Sequence, residues 1–199
     1  MRIAFVGAYG NGKTTLTTEL SERLGLERVH GSAMRDPAGG TPKALEETNE
    51  PELIQLAVRR FTERAVDEAR LQDGFLSDGS VLHEWVYSKV RLAVGRYPEP
   101  SVTLADVHAS TSPYEEVVDQ LALLGKEHAT ANYDVVIHCP VEFPLPKGVD
   151  PISERFRTLS DELMLEIVKT LDVPLRIVTG SLEERIEQVL KIAGLPQTA

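Results

Sequence analysis

The chain has 199 residues, 42% of them hydrophobic, which is enough for one sizeable core. Its 31 acidic residues outnumber 21 basic ones, and the net charge of -10 argues against nucleic acid or an anionic membrane as a partner, because neither polyanion attracts such a surface. A single cysteine, Cys139, excludes an intrachain disulfide, no apolar run approaches the about 18 residues of a membrane span, and Gly7 and Asn11 come too early for a secretion signal. These features point to a soluble cytoplasmic protein.

The run "RIAFVG" at the N-terminus is short, apolar and stopped by Gly7, as for a buried strand. From Lys13, Leu16, Leu20 and Leu24 recur four apart and Gly25 follows, predicting a helix. A second short strand is expected over Glu27 to His30, then a loop broken by Pro37, Gly39 and Gly40. Asn49 reads as an N-cap with Pro51 in the first turn of a helix reaching about Arg70. "GFLSDGS" is strand then turn, and helix returns from Leu82 to about Arg96. Leu104 to Pro113 carries no clear period; Tyr114 to about Ala131 reads as helix, and "YDVVIHCP" as a strand ended by Pro140. Pro144, Pro146 and Pro151 make the next segment irregular, a lid over about 141–158, before helix from about Leu159 to Leu171. Strand "PLRIVTG" and a helix from Leu182 to about Ala193 complete the chain.

Strands alternating with helices imply an α/β fold of one domain over 1–199, a doubly wound five-stranded parallel sheet. Ligands in such a sheet bind beyond the C-terminal ends of the strands. "GAYGNGKT" lies there, between the first strand and its helix, and fits the phosphate-loop (Walker A) pattern with Gly7, Gly12, Lys13 and Thr14. Its glycines let several N–H groups face one phosphate, and the helix adds its positive end. Lys13 then reaches the β- and γ-phosphates and the Thr14 hydroxyl a Mg²⁺ ion. Gly7, Gly10, Asn11, Gly12, Lys13, Thr14 and Thr15 are the expected nucleotide-binding set.

Three further positions carry candidate chemistry. Asp78, at the tip of the third strand, suits either a general base or a metal partner, although Asp-Gly also makes an ordinary turn. Arg35, with Asp36 beside it, follows the second strand, where it serves either an acceptor or only solvent. Arg155 and Arg157 follow the proline-rich segment and suit lid arginines that neutralise charge on a transferred phosphoryl group, with Lys147 a lesser candidate. The five histidines show no metal spacing and read as surface or core residues, while Trp85 and Tyr87 read as core, with Trp85 a candidate to stack on an acceptor base.

With these residues in place the chain resembles the small P-loop nucleoside and nucleotide kinases, and among them the AAA-type group containing the ribosylnicotinamide kinase domain. Ala33-Met34-Arg35 matches that group's A-x-R element, Ser77-Asp78 its strand end, and "TGSLEERIEQV" its last strand-to-helix turn. The resemblance implies that Gly180 and Ser181 lie against adenine. Three departures stand out: Gly31 and Ser32 where the group often has Glu, Gly79 where it often has Arg, and Ser153 where its lid often has Arg.

The resulting expectation is an ATP- and Mg²⁺-dependent phosphotransferase acting on a hydroxyl of a nucleoside, nucleotide or similar small molecule. Lys13, Asp78, Arg155 and Arg157 would be its catalytic residues, Thr14 and Asp78 its metal partners, and Arg35, Asp36 and Trp85 its acceptor contacts. GTP stays open as donor, although the guanine-reading N-K-x-D pattern is absent. The alternative is a regulatory ATPase or switch acting on a protein partner.

Overall fold

The computed structural model describes residues 1–32, 37, 43–145 and 152–194. Strand β1, Arg2–Val6, divides its side chains between two cores, as the two-residue period of a strand requires. Ile3 and Phe5 pack with Leu16, Leu20, Ile137, Val178 and Ile186 on one face. Ala4 and Val6 pack with Val29, Phe75, Val86 and Leu159 on the other. A strand apolar on both sides belongs in the middle of a covered sheet, and β1 is its central strand.

Its neighbours are β3, Phe75–Asp78, and β4, Val135–His138, with β2, Glu27–His30, and β5, Leu175–Ile177, outside them. The order is β2-β3-β1-β4-β5, and all four pairings are parallel. Register brings His30, Asp78 and Phe5 level, so the side chains at these strand tips arrive together where β1 breaks into the phosphate loop. Helices α1, Lys13–Leu24, and α7, Leu182–Ile192, cover one face. Helices α2, Glu50–Arg70, α3, Leu82–Val94, α4, Leu104–Ala109, α5, Pro113–Asn132, and α6, Glu154–Val168, lie on the other side of the sheet.

Two boundaries differ from expectation in ways that matter to the site. The Ser153 side chain accepts from the Phe156 N–H at 3.1 Å, an N-cap that starts α6 at Glu154, about five residues earlier than the spacing predicts. Arg155 and Arg157 therefore sit on the first turns of a helix, not on an irregular lid. Residues 146–151 of the expected lid, Lys147 included, lie outside the described residues. The stretch after Leu104 is helix α4, capped by Thr103, whose N–H and hydroxyl both donate to Asp106.

α2 starts as expected: the Asn49 side chain accepts from Glu52 N–H, and Glu52 accepts from Asn49 N–H in return. This cap anchors the helix that carries Arg60 and Arg64 to the strand tips. Asn49→Ala is expected to cost about 1 kcal/mol, read as a lower urea midpoint at unchanged m-value.

Candidate active site

Gly7, Gly10 and Gly12 have φ of 131°, 74° and 77°, left-handed values that other residues adopt only with strain. A Cβ on Gly7 would also stand 2.3 Å from the Cys139 carbonyl oxygen. The loop so formed is held from beneath by buried side chains. Asn11, wholly buried, donates to Cys139 O at 2.8 Å and accepts from Arg157 at 2.6 Å. Arg157 is also wholly buried, and it donates besides to the carbonyls of Tyr9, Gly10 and Phe143 and to Glu154. One turn on along α6, Asp161 accepts from Ala8 N–H at 2.9 Å and meets His138 Nε2 at 3.1 Å. Arg185 of α7 donates to Asn11 O at 2.7 Å, to Gly180 O and to Glu142.

His83 closes the underside. Ser80 N–H donates to its Nδ1 at 2.9 Å, so Nδ1 carries no proton and Nε2–H donates to Gly7 O at 2.9 Å. Burial, with the nearby Lys13 charge second, pushes its pKa down to about 3, so the ring is neutral.

Above the loop, Lys13, Thr14, Asp78, His30, Arg60 and Arg64 share a cavity of about 400 Å³. Lys13 rests on Ala8 O at 2.7 Å. Desolvation lowers its pKa most, opposed by the nearby Asp78 and Asp161 carboxylates. Asp78 Oδ2 lies 2.7 Å from His30 Nδ1. A carboxylate only accepts, so Nδ1 bears the proton in this contact and His30 turns Nε2 away from Asp78. The Asp78 side chain is 3% exposed and that of His30 56%, so His30 is the member of the pair that meets solvent. Arg64 donates to Ser77 Oγ at 2.9 Å and to the Asp78 carbonyl. A Cβ on Gly79 would meet its Nη2 at 3.0 Å. A side chain at 79, where the resembled group often has Arg, would thus begin against the Arg64 guanidinium.

A second cavity, of about 640 Å³, continues from the first and shares Tyr9, His30, Gly31, Arg60 and Tyr87 with it. Tyr87 stacks on Phe156 with ring centroids 6.4 Å apart, and both line this space. Trp85 does not reach it. Two positions earlier on α3, Trp85 faces the core and donates to Asp119 at 2.9 Å, which corrects the expectation of a stacking role. Arg157 is likewise corrected: all its donors are spent on the loop and its surroundings. Arg155 turns to Val102 O at 2.7 Å and to Glu162, and does not line either cavity. Arg35 and Asp36 lie outside the described residues. Gly180 N–H donates to Glu142, and Ser181 caps α7, on a separate shallow hollow beside the loop. Thr15 is exposed at the start of α1. His30, Arg60, Arg64, His83, Tyr87 and Asp161 are the site residues that sequence reasoning missed. The signal was the four-residue spacing of 60 with 64 and of 83 with 87, which turns charged or polar groups inward along otherwise apolar helix faces.

Arg157→Met leaves three carbonyls and the Asn11 side-chain oxygen without this donor. It is expected to cost about 3 kcal/mol or more in urea unfolding, since each orphaned group keeps its desolvation penalty. His83 supplies a pH test. The unfolded imidazole titrates near 6.5 and the native one near 3, so protons bind preferentially to the unfolded chain between those values. The stability linked to His83 is full above about pH 6.5 and declines as pH falls toward about 3. His83→Gln is expected to remove about 2–3 kcal/mol of the wild-type difference between pH 7 and pH 4.5, measured by denaturant unfolding at both values.

Deoxyadenosine kinase from M. mycoides, solved with bound dATP, superposes with a TM-score of 0.65 at 18% identity, covering 98% of this chain and 100% of that one. NadR, solved with NAD and AMP-PNP, gives 0.57 at 15% identity, covering 99% of this chain and 50% of that one. YorR from Bacillus subtilis, in complex with phosphorylated GDP, gives 0.51 at 14%, covering 98% and 96%. At these identities the likeness is one of fold. No curated protein matches the chain by sequence. The model of the AAA domain family matches residues 2–185, nearly the whole chain, and the protein belongs to that family.

Proposed function

We propose that the protein is a P-loop phosphotransferase that moves the γ-phosphoryl group of ATP to a hydroxyl of a nucleoside, nucleotide or similar small molecule. One observation carries this reading: the phosphate cavity with Lys13, Asp78 and His30 opens into a second cavity lined by Tyr87 and Phe156. A regulatory ATPase that only hydrolyses nucleotide needs no such second chamber. Two similar folds, a deoxyadenosine kinase and NadR in complex with NR, support the same class of acceptor.

The residues divide the work. The loop amides and Lys13 bind and orient the triphosphate, and Arg64 adds positive charge beside Asp78. The acceptor lies against Tyr87 with its hydroxyl toward His30. Its oxygen bonds to the γ-phosphorus as the bond to the leaving diphosphate breaks, and the hydroxyl proton passes to His30 Nε2. Asp78 holds that ring in the competent tautomer. Thr14 and Asp78 offer oxygen donors in one cavity, the hard ligands Mg²⁺ prefers. Among the described residues no group of three or more His, Cys, Asp or Glu is placed to hold a metal, which fits an ion carried mainly on nucleotide phosphates and water. When bound, Mg²⁺ neutralises charge on those phosphates.

The test is ATP consumption across a panel of nucleosides, nucleotides and other hydroxyl compounds. Lys13→Ala is expected to lower transfer by at least about 10³-fold with an unchanged unfolding midpoint; full activity in that variant would sink the assignment. His30→Gln is expected to lower kcat by about 10²–10⁴-fold while leaving the affinity for a non-hydrolysable ATP analogue unchanged. A kcat near the wild-type value in His30→Gln assigns the base elsewhere.

A further inference from the structure

The second cavity is lined away from the phosphate loop by two arginines, Arg91 and Arg96, against one carboxylate, Glu46. Helices α2 and α3 run antiparallel, and their contacts step away from the phosphate loop. Arg64 touches the Asp78 carbonyl, Arg60 pairs with Glu84 at 2.7 Å, and Arg91 donates to the Thr48 carbonyl at 2.7 Å. His83, on Gly7, and Arg91 are eight residues apart on α3, about 12 Å at 1.5 Å per residue. Tyr87 stands midway. Arg91 lines the cavity at this distance, and Arg96, just beyond the end of α3, lines it too.

Arg91 is short of partners. Its Nη2 meets only the neutral Thr48 carbonyl, and its Nη1 is buried with no hydrogen-bond partner. Arg96 reaches Glu46 at 3.2 Å. Burial lowers the Arg91 pKa most and the Arg96 charge next, opposed by the charges of Glu46 and Glu50. A half-buried guanidinium with one enclosed, unpartnered nitrogen and no carboxylate in contact carries a desolvation cost that a charged partner offsets. A neutral ring edge satisfies the hydrogen bond but leaves the charge unbalanced, whereas an anion does both in one contact.

Resting on the phosphotransferase reading, we infer that the acceptor carries an anionic group, a carboxylate or a phosphate, at the end distal to its reacting hydroxyl, bound by Arg91 beside Arg96. Tyr87 holds the body of the acceptor between that anchor and His30. The arginines thus select acidic acceptors over their neutral counterparts.

Binding tests this without turnover. The wild-type protein is saturated with a non-hydrolysable ATP analogue, so that the phosphate cavity is filled. Benzoate, benzamide and inorganic phosphate are then titrated by calorimetry. At least one of the two anions is expected to bind about tenfold or more tighter than benzamide, the worth of one charge-assisted contact. Which anion binds better distinguishes a carboxylate from a phosphate. In Arg91→Met the preference is expected to fall to about twofold or less, and Arg91→Lys to restore part of it, since lysine returns the charge without the planar fork. Analogue affinity reports that each variant is folded; should Arg91→Met fail that check, Arg96→Met is read in the same way. Equal binding of acid and amide, no binding of either anion, or a preference that survives the variants overturns the inference. A chain that transfers phosphate but shows no such preference refutes the anchor alone. A chain that binds the anion through Arg91 yet never transfers phosphate refutes the kinase reading alone.

Discussion

The buried guanidinium of Arg157 is the constraint on which the phosphate loop depends. A loop whose amides must converge on a ligand cannot use those amides to stabilise itself, and its glycines raise the entropy lost on ordering it. The carbonyls of Tyr9 and Gly10 and the side chain of Asn11 are instead gathered by one planar group with its donors in fixed directions. Arginine suits this role because its charge cannot be titrated away at any physiological pH and its fork is rigid. Asp161 and Arg185 add single contacts at Ala8 and Asn11, so the loop is tied to α6 and α7 as well as to β4. The cavity shape follows from this outside frame.

The electrostatics divide in the same way. The chain as a whole is acidic, yet the two joined cavities collect Lys13, Arg60, Arg64, Arg91 and Arg96. Positive charge concentrated in a low-dielectric hollow attracts a small polyanion, while the surrounding negative surface repels extended ones. His83 is the counterpart: a ring at the base of the loop kept neutral, so that it holds Gly7 O without adding a charge to the one Lys13 already brings.

The sheet and the phosphate loop were legible because each has a local cause. Apolar runs of four or five residues, glycines at defined spacings and the cap at Asn49 are written in adjacent letters. The rest of the site is not local. Arg157 reads as a lid arginine because nothing in "SERFRTL" shows that Ser153 caps the helix and so turns residue 157 inward. Trp85 and Tyr87 are two apart on a helix, so only one of them faces the cavity, and the choice depends on where α5 and Asp119 lie. His30 looks like a surface residue until strand register sets it level with Asp78, 48 positions away.

The glycines that depart from the kinase pattern gain a physical sense from the same geometry. A side chain at Gly31 would begin 2.6 Å from Arg64 Nη2, and one at Gly79 would begin 3.0 Å from it, with φ already at 109°. These absent side chains leave the space that the Arg64 guanidinium fills. Ser77 and Glu68 fix that arginine from behind: Ser77 Oγ accepts from Arg64 and donates to Glu68, which also receives Tyr133 and His128. A charge held by such a buried network is positioned more firmly than one on a turn after a strand, because both Nη atoms of Arg64 and the Ser77, Glu68 and Tyr133 groups behind them are hydrogen-bonded inside the core. Arg64 beside Asp78 and Arg60 along the second cavity come from the same helix. α2 thereby joins the two cavities through one rigid element.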